Sequence, residues 1–272
     1  MIDNILSKII NREVQSKEVA LLLSGGIDSL SVAFACDRLG KKVNGYTFHL
    51  QNEPSYDSEK AKEAAQTFNW NITTIEVPTD NLENDFFTLL NKYECKKKTH
   101  WECVFPFMYV YPKIKEEYVL SGWAADGYYG VSKKANIHYK HTQQLFDKFR
   151  DDYFRPDMQA GYKWHKKVAD QYNKKLITPY LTDDVKNFFY SKSWEELNKP
   201  EQKIHVRKAY EKELKKIKVK PHLNLQKVGK VDILFERLLE NKKINFKRRS
   251  RMMDVYKDWS MLNSNATLEE FL

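Results

Sequence analysis

Residues 21–30 read LLLSGGIDSL: an apolar run, then Ser24-Gly25-Gly26-Ile27-Asp28-Ser29. The chain has only nine glycines in 272 residues, so an adjacent pair asks for a physical reason. A hairpin turn would use such a pair, but the flanks argue against one. Val19–Leu23 is a short apolar run suited to a buried strand. Asp28–Leu39 then carries apolar residues at Leu30, Val32, Ala33, Ala35 and Cys36, which suits a helix packed on a sheet. A glycine pair between a buried strand and a helix falls at the carboxyl edge of a doubly wound sheet, where ligands bind. Glycine there lets the backbone approach a ligand closely, and the amides of the helix N-terminus favour an anion. Ser24 and Ser29 add hydroxyl donors. Asp28 would repel a bare phosphate, yet it fits beside one if a magnesium ion lies between them. The stretch therefore reads as a nucleotide site with a metal. Spacing excludes two familiar phosphate loops: no pair of glycines with four residues between them is followed by a lysine, and G-x-G-x-x-G is absent.

Outward from that loop, Lys42–Leu50, Asn71–Val77 and Tyr118–Ser121 read as further strands. Helices are expected from about Ser58 to Phe68, over Asp80–Lys92 with Asp80 as N-cap, and over Trp101–Lys115 with interruptions at Pro106 and Pro112. Strands alternating with helices predict an α/β, Rossmann-like parallel sheet with helices on both faces. The second half is long, charged and mostly helical, as in Trp194–Lys218 and Val231–Asn241. The polar stretch Ser132–Lys140 is the expected seam. It divides the chain into a nucleotide-binding α/β region, 1–135, and a mostly helical basic region, 136–272, that completes the site.

Hydrophobic residues make up 42% and aromatic residues 14%, which excludes a disordered chain. The start, MIDNILSKIINREVQ, lacks the apolar core of a signal peptide, and no run approaches the length of a membrane span. Cys36, Cys95 and Cys103 are too few and too irregular for a disulfide framework, so a reducing cytoplasm is expected. Charge is uneven. Residues 1–130 carry 14 Lys/Arg and 18 Asp/Glu, whereas residues 131–272 carry 32 and 19. A basic half of this kind meets phosphate or forms a solvated helical surface.

Ser24–Ser29 resembles the pyrophosphate loop of the adenine-nucleotide α-hydrolases, S-G-G-x-D-S, which is complete here. Val119-Leu120-Ser121-Gly122-Trp123-Ala124-Ala125-Asp126-Gly127-Tyr128-Tyr129-Gly130, also following a strand, resembles the second motif of asparagine synthetases, roughly vLSGeGaDElfgGy. Thr178-Pro179-Tyr180-Leu181, then Lys203-Ile204-His205-Val206-Arg207, then Leu225-Gln226-Lys227-Val228-Gly229 resemble three further family segments in order. The resemblance covers about residues 17–240. It implies ATP and Mg2+ as cofactors and an amide-forming reaction: a carboxylate is adenylated, pyrophosphate leaves, and a nitrogen nucleophile displaces AMP. Asp28 and Asp126 would hold the metal. Ser24, Gly25, Gly26 and Ser29, with Leu22, Phe48, Ser121 and Gly122, would hold the nucleotide. Lys203, Lys227 and Asp126 would act in catalysis, Lys227 by stabilising charge as the adenylate collapses. Implied partners are a small-molecule carboxylate and an amine or ammonia.

The sequence also departs from that family. The loop is reached by residue 24, which leaves no room before it for a glutaminase domain, so ammonia would arrive free, from a separate glutaminase subunit, or be replaced by another amine. Trp123 stands where the family has Glu, Ala124 where it has Gly, and Gly127 where it has a second Glu. Val231-Asp232-Ile233 replaces a glycine–serine run. Loss of groups near the acceptor with retention of the ATP groups implies an altered substrate, or a degenerate, non-catalytic nucleotide-binding subunit. Lys242–Arg251 holds six cations in ten residues. It would suit nucleic-acid backbone and a tRNA- or DNA-modifying relative, but a helix end docked on the acidic half is favoured, since no RNA-binding signature accompanies it. Cys95, His100 and Cys103 are too loosely spaced for a zinc site and are expected to be structural, and His49 is expected to pack rather than to catalyse.

Overall fold

The computed structural model describes residues 1–155, 162–190, 192–219 and 225–241; the basic run at 242–251 lies outside them. Five strands form one sheet: β1 (Glu18–Leu22), β2 (Lys42–Leu50), β3 (Asn71–Val77), β4 (Tyr118–Leu120) and β5 (Lys175–Ile177), in the order β3-β2-β1-β4-β5 and all parallel. The helices run in chain order as α1 (Ile2–Glu13), α2 (Ile27–Arg38), α3 (Tyr56–Phe68), α4 (Leu82–Phe87), α5 (Lys98–Val104), α6 (Phe107–Val110), α7 (Ala125–Tyr129) and α8 (Gln143–Phe154). They continue as α9 (Tyr162–Gln171), α10 (Asp183–Phe189), α11 (Trp194–Asn198), α12 (Ile204–Ala209), α13 (Glu211–Leu214), α14 (Leu225–Val228) and α15 (Val231–Asn241). No helix among the described residues is long and apolar enough to cross a membrane.

Strand periodicity sets the two faces. Val19, Leu21 and Leu23 point into one core with Val43, Tyr118 and Leu120, while Ala20 and Val119 point into the other. The first core takes residues from α1, α2, α3, α7, α10 and α12; the second takes residues from α4, α5, α6, α9 and α15. Both faces are therefore covered, which is what a parallel sheet requires. Helix α1 joins through Ile2, Leu6, Ile9 and Ile10, all fully buried, at about 1.5–3 kcal/mol each.

Some expected boundaries move. Asn81, not Asp80, occupies the N-cap of α4, and it makes no side-chain cap bond. The Thr79 amide is engaged instead by Gln51 Oε1, to which it donates at 3.2 Å, and the helix starts after it. The mostly helical segment Trp194–Lys218 is divided into α11, α12 and α13, because Pro200 cannot continue a helix and Lys203 adopts a left-handed conformation. The helix expected from Trp101 starts earlier, at Lys98, and breaks near Pro106.

The strand order reverses between β1 and β4, and the loops that leave these two strands lie side by side. A Cβ on Gly122 would stand 2.6 Å from the Asp28 carbonyl carbon and from the Ser29 nitrogen, so only glycine admits this contact of loop with loop. Gly25 is left-handed at φ +69°, and a Cβ there would strike Lys60 Cβ at 2.6 Å and its carbonyl carbon at 2.7 Å. Gly26 meets nothing closer than Ser24 Oγ at 3.3 Å. The two glycines thus differ: Gly25 seats the loop on α3, and Gly26 leaves its open side to the cleft.

Two consequences for stability can be measured. Ala124 is left-handed at φ +74°, a conformation disfavoured for a residue with a Cβ. Ala124→Gly should raise unfolding stability by about 1 kcal/mol in chemical denaturation, and a loss would contradict the strain. His165 is buried, and desolvation pushes its pKa down to about 3. The unfolded chain then binds a proton near pH 6.5 that the folded chain refuses, so this contribution is intact above pH 6.5 and is lost on acidification. Between pH 6.5 and 5 the loss should be about 2 kcal/mol, and His165→Phe should remove that part of the acid sensitivity. Equal slopes in both proteins would contradict burial of a neutral imidazole.

Candidate active site

The loop after β1 is held by its own hydroxyls. The Ser24 amide donates to Ser29 Oγ at 3.4 Å, the Gly26 amide donates to Ser24 Oγ at 3.3 Å, and Ser29 Oγ donates to the Gly26 carbonyl at 3.0 Å. Helix α2 starts at once, with Gly26 as its N-cap and Asp28 in its first turn. Ser31 on that helix bonds the hydroxyl of fully buried Tyr180 at 2.8 Å, so the Thr178–Leu181 segment supports the loop from behind. The loop after β4 is tied down by the Trp123 amide, which donates to Ser121 Oγ at 3.2 Å.

One cation draws the two loops together. Lys203 Nζ lies 2.8 and 2.6 Å from the two carboxylate oxygens of Asp28 and 2.5 Å from Asp126 Oδ1. The lysine is 2% exposed. Burial works against its charge, but the attraction of Asp28 and Asp126 outweighs burial and holds its pKa above the ordinary value. Its backbone is fixed as well: the Lys203 amide donates to Asn198 Oδ1, and Asn198 Nδ2 donates to the Tyr129 carbonyl at 2.7 Å. Arg207, the last residue of that sequence pattern, points elsewhere and donates to the Gln202 carbonyl at 2.8 Å.

Above the carboxylates opens a cleft of about 370 Å³, within the usual range of small-molecule sites. Leu22, Ser24, Gly26, Asp28, Ser29, Phe48, Ser121, Gly122 and Asp126 all line it. Gly25 sits behind it, against α3. Lys203 does not line it but reaches it through the two aspartates. Lys227 is exposed; Leu225 and Gly229, on either side of it in sequence, contribute to the wall. The two carboxylates supply hard oxygen donors from adjacent loops and lie close enough to share one ammonium. That suits magnesium, which is commonly held by one or two carboxylates plus phosphate oxygens rather than by an all-protein cage.

Several lining residues escaped the sequence reading, among them Lys60, Tyr153 and His165. Lys60, in the second turn of α3, is 7% exposed, and burial pushes its pKa down against the partial support of Asp57 and Glu63. Among the described residues it makes no ion pair, although its Nζ lies 5.1 Å from the Tyr56 ring centre. A signal was present: Lys60 adjoins Ala61, Ala64 and Ala65, the small buried face of the helix. Tyr153 on α8 and His165 on α9 also face the cleft, and nothing in their own neighbourhoods marks them. Of the cysteine–histidine group, Cys95 and His100 are buried, the latter stacked on Trp164 at 3.5 Å. Cys103 reaches the cleft wall, but burial pushes its thiol up to about 12, which keeps it protonated. His49 Nδ1 lies 2.8 Å from the Leu50 carbonyl, and the ring is absent from the lining.

A family model for asparagine synthase matches residues 2–249, a span that contains both loops, Lys203 and Lys227. No curated protein gives a significant match. With nearly its whole length matched, the chain belongs to the asparagine synthase family of ATP-using synthetase domains.

Proposed function

We propose that this chain is an ATP- and magnesium-dependent ligase that adenylates a carboxylate and transfers the acyl group to a nitrogen. The observation that carries the reading is the meeting of Asp28 and Asp126, from two different strand ends, on one buried ammonium beside a hydroxyl- and amide-lined loop. Leu22 and Phe48 form the apolar side on which adenine rests, and the Ser24–Ser29 loop takes the β- and γ-phosphates through backbone amides and hydroxyls. Asp28 and Asp126 would hold magnesium, which supplies positive charge against the phosphates.

In the first step a carboxylate oxygen of the acceptor attacks the α-phosphorus, the α–β anhydride bond breaks, and pyrophosphate leaves on the Ser24–Ser29 loop. In the second step the nitrogen of ammonia or an amine attacks the acyl carbon, the bond from that carbon to the phosphate oxygen breaks, AMP leaves, and the nitrogen gives its proton to solvent. Lys203 keeps the two carboxylates from repelling each other and from moving apart as phosphate enters. Lys60 is the second cation available to phosphate, since its desolvated ammonium is poorly matched among the described residues and gains from an anion. Lys227, on the short helix whose neighbours line the wall, is the cation proposed to meet charge developing as the adenylate collapses.

ATP–pyrophosphate exchange tests the reading. Asp126→Asn should lower exchange by about 100-fold or more while the protein stays folded, because Lys203 keeps Asp28 as its counter-ion. Exchange at the native level in that variant would sink the assignment. Lys60→Met should weaken ATP binding by about 10-fold or more and leave stability unchanged or higher, since it removes a desolvated charge. Unchanged ATP affinity with lower stability would instead make Lys60 a structural residue.

A further inference from the structure

One wall of the cleft is aromatic. Phe48 meets Phe107 edge-on at 5.7 Å, Phe107 stacks on His165 at 4.1 Å, and His165 meets the edge of Trp123 at 5.5 Å. Tyr153 closes the same region. Its ring lies where a side chain at position 127 would begin: a Cβ on Gly127 would stand 2.1 Å from Tyr153 Cε1. The exchange of an acidic residue for Gly127 is thus coupled to the entry of a ring, and Trp123 makes a second exchange of the same kind two residues from Ala125. Cys103 adds a protonated thiol.

His165 stands out in this wall. It is 1% exposed, and neither Nδ1 nor Nε2 has a hydrogen-bond partner among the described residues. Buried polar atoms are nearly always paired, so an imidazole with two nitrogens unpaired among the described residues, at a cleft wall, offers a bound molecule a polar contact. Its surroundings, Phe107, Tyr111 and Trp123, carry no charge. Among the described residues Lys60 is the only cation that lines the cleft, and it lies on α3, against the first loop. An acidic amino acid bound against His165 would leave its second carboxylate desolvated and unpaired, at high free-energy cost.

We infer that the Trp123–Tyr153–His165 wall receives the acid that becomes adenylated, and that this acid is a planar aromatic or heteroaromatic carboxylate with a hydrogen-bonding group for His165, not aspartate. Ring faces of this kind bind flat, uncharged groups by stacking, and a single polar contact then sets orientation and identity. A site built around such a contact discriminates strongly against an analogue that lacks it, because a buried polar group is then left unpaired. The inference rests on the ligase reading, and its test separates the two.

Calorimetric titration of the full chain, with magnesium and α,β-methylene-ATP present, reads binding without turnover; ATP–pyrophosphate exchange reads the reaction. The probes are 4-hydroxybenzoate, nicotinate, benzoate and aspartate. We expect 4-hydroxybenzoate or nicotinate to bind about 10-fold or more tighter than benzoate, and aspartate not to bind. His165→Phe, an apolar ring of similar bulk, should erase the preference over benzoate while the affinity for the ATP analogue stays native. Binding of the aromatic acids without exchange would refute the ligase reading, and adenylation with it, and would leave standing only the preference of this wall for an aromatic carboxylate. Exchange with aspartate as the best acid would do the reverse. Failure of all three aromatic acids to bind would overturn the inference, as would His165→Phe weakening the ATP analogue itself, which would make this wall part of the nucleotide site.

Discussion

Everything at the carboxyl edge of the sheet turns on the ammonium of Lys203. Two carboxylates, each in the first turn of a helix that follows a separate strand, would repel each other. A lysine at 2% exposure, with three oxygens between 2.5 and 2.8 Å, converts that repulsion into a clamp. Buried pairs of this kind contribute little net stability against well-packed apolar residues, but breaking one costs about 3–5 kcal/mol because an uncompensated charge remains. The clamp is therefore better understood as a positioning device. It spans 175 residues of sequence between Asp28 and Lys203, so the site exists only once both halves of the chain have come together.

Backbone contacts make the clamp possible. Gly122 lets the β4 loop rest on the start of α2, and Gly25 lets the β1 loop rest on α3, each with a hypothetical Cβ under 3 Å from main-chain atoms. The reversal of strand order between β1 and β4 then opens a crevice at the one place where two loops diverge from neighbouring strands. The cleft inherits its chemistry from this arrangement: hydroxyls, amides and carboxylates from the loops on one side, rings from α6, α8 and α9 on the other.

Much of this was legible in the sequence because it is local. Val19–Leu23 followed by Ser24–Ser29 declares strand, loop and helix start within about a dozen residues, and Ser121–Asp126 repeats the pattern. The parallel sheet follows from the alternation of the first half. What was missed is non-local or short. β5 is three residues long with an exposed lysine at its head, too brief for a periodic signal. Helix α1 carries a legible apolar spacing at Ile2, Leu6, Ile9 and Ile10, but that stretch was weighed as a leader and not as a helix. Pro200 stood in plain view inside a segment read only as mostly helical, whose division into three short helices was not foreseen. Tyr153 and His165 are surrounded in sequence by ordinary helical residues, and only tertiary packing brings them beside Trp123.

The central claim is that the crevice between the β1 and β4 loops holds ATP, with the phosphates over Asp28 and Asp126. A crystal structure of the chain with magnesium and a non-hydrolysable ATP analogue tests it most directly. Adenine is expected against Leu22 and Phe48, the β- and γ-phosphates on the amides of Ser24–Ser29, and a metal ion touching Asp28 and Asp126. A nucleotide bound away from these loops, with no metal contact to either aspartate, would contradict it.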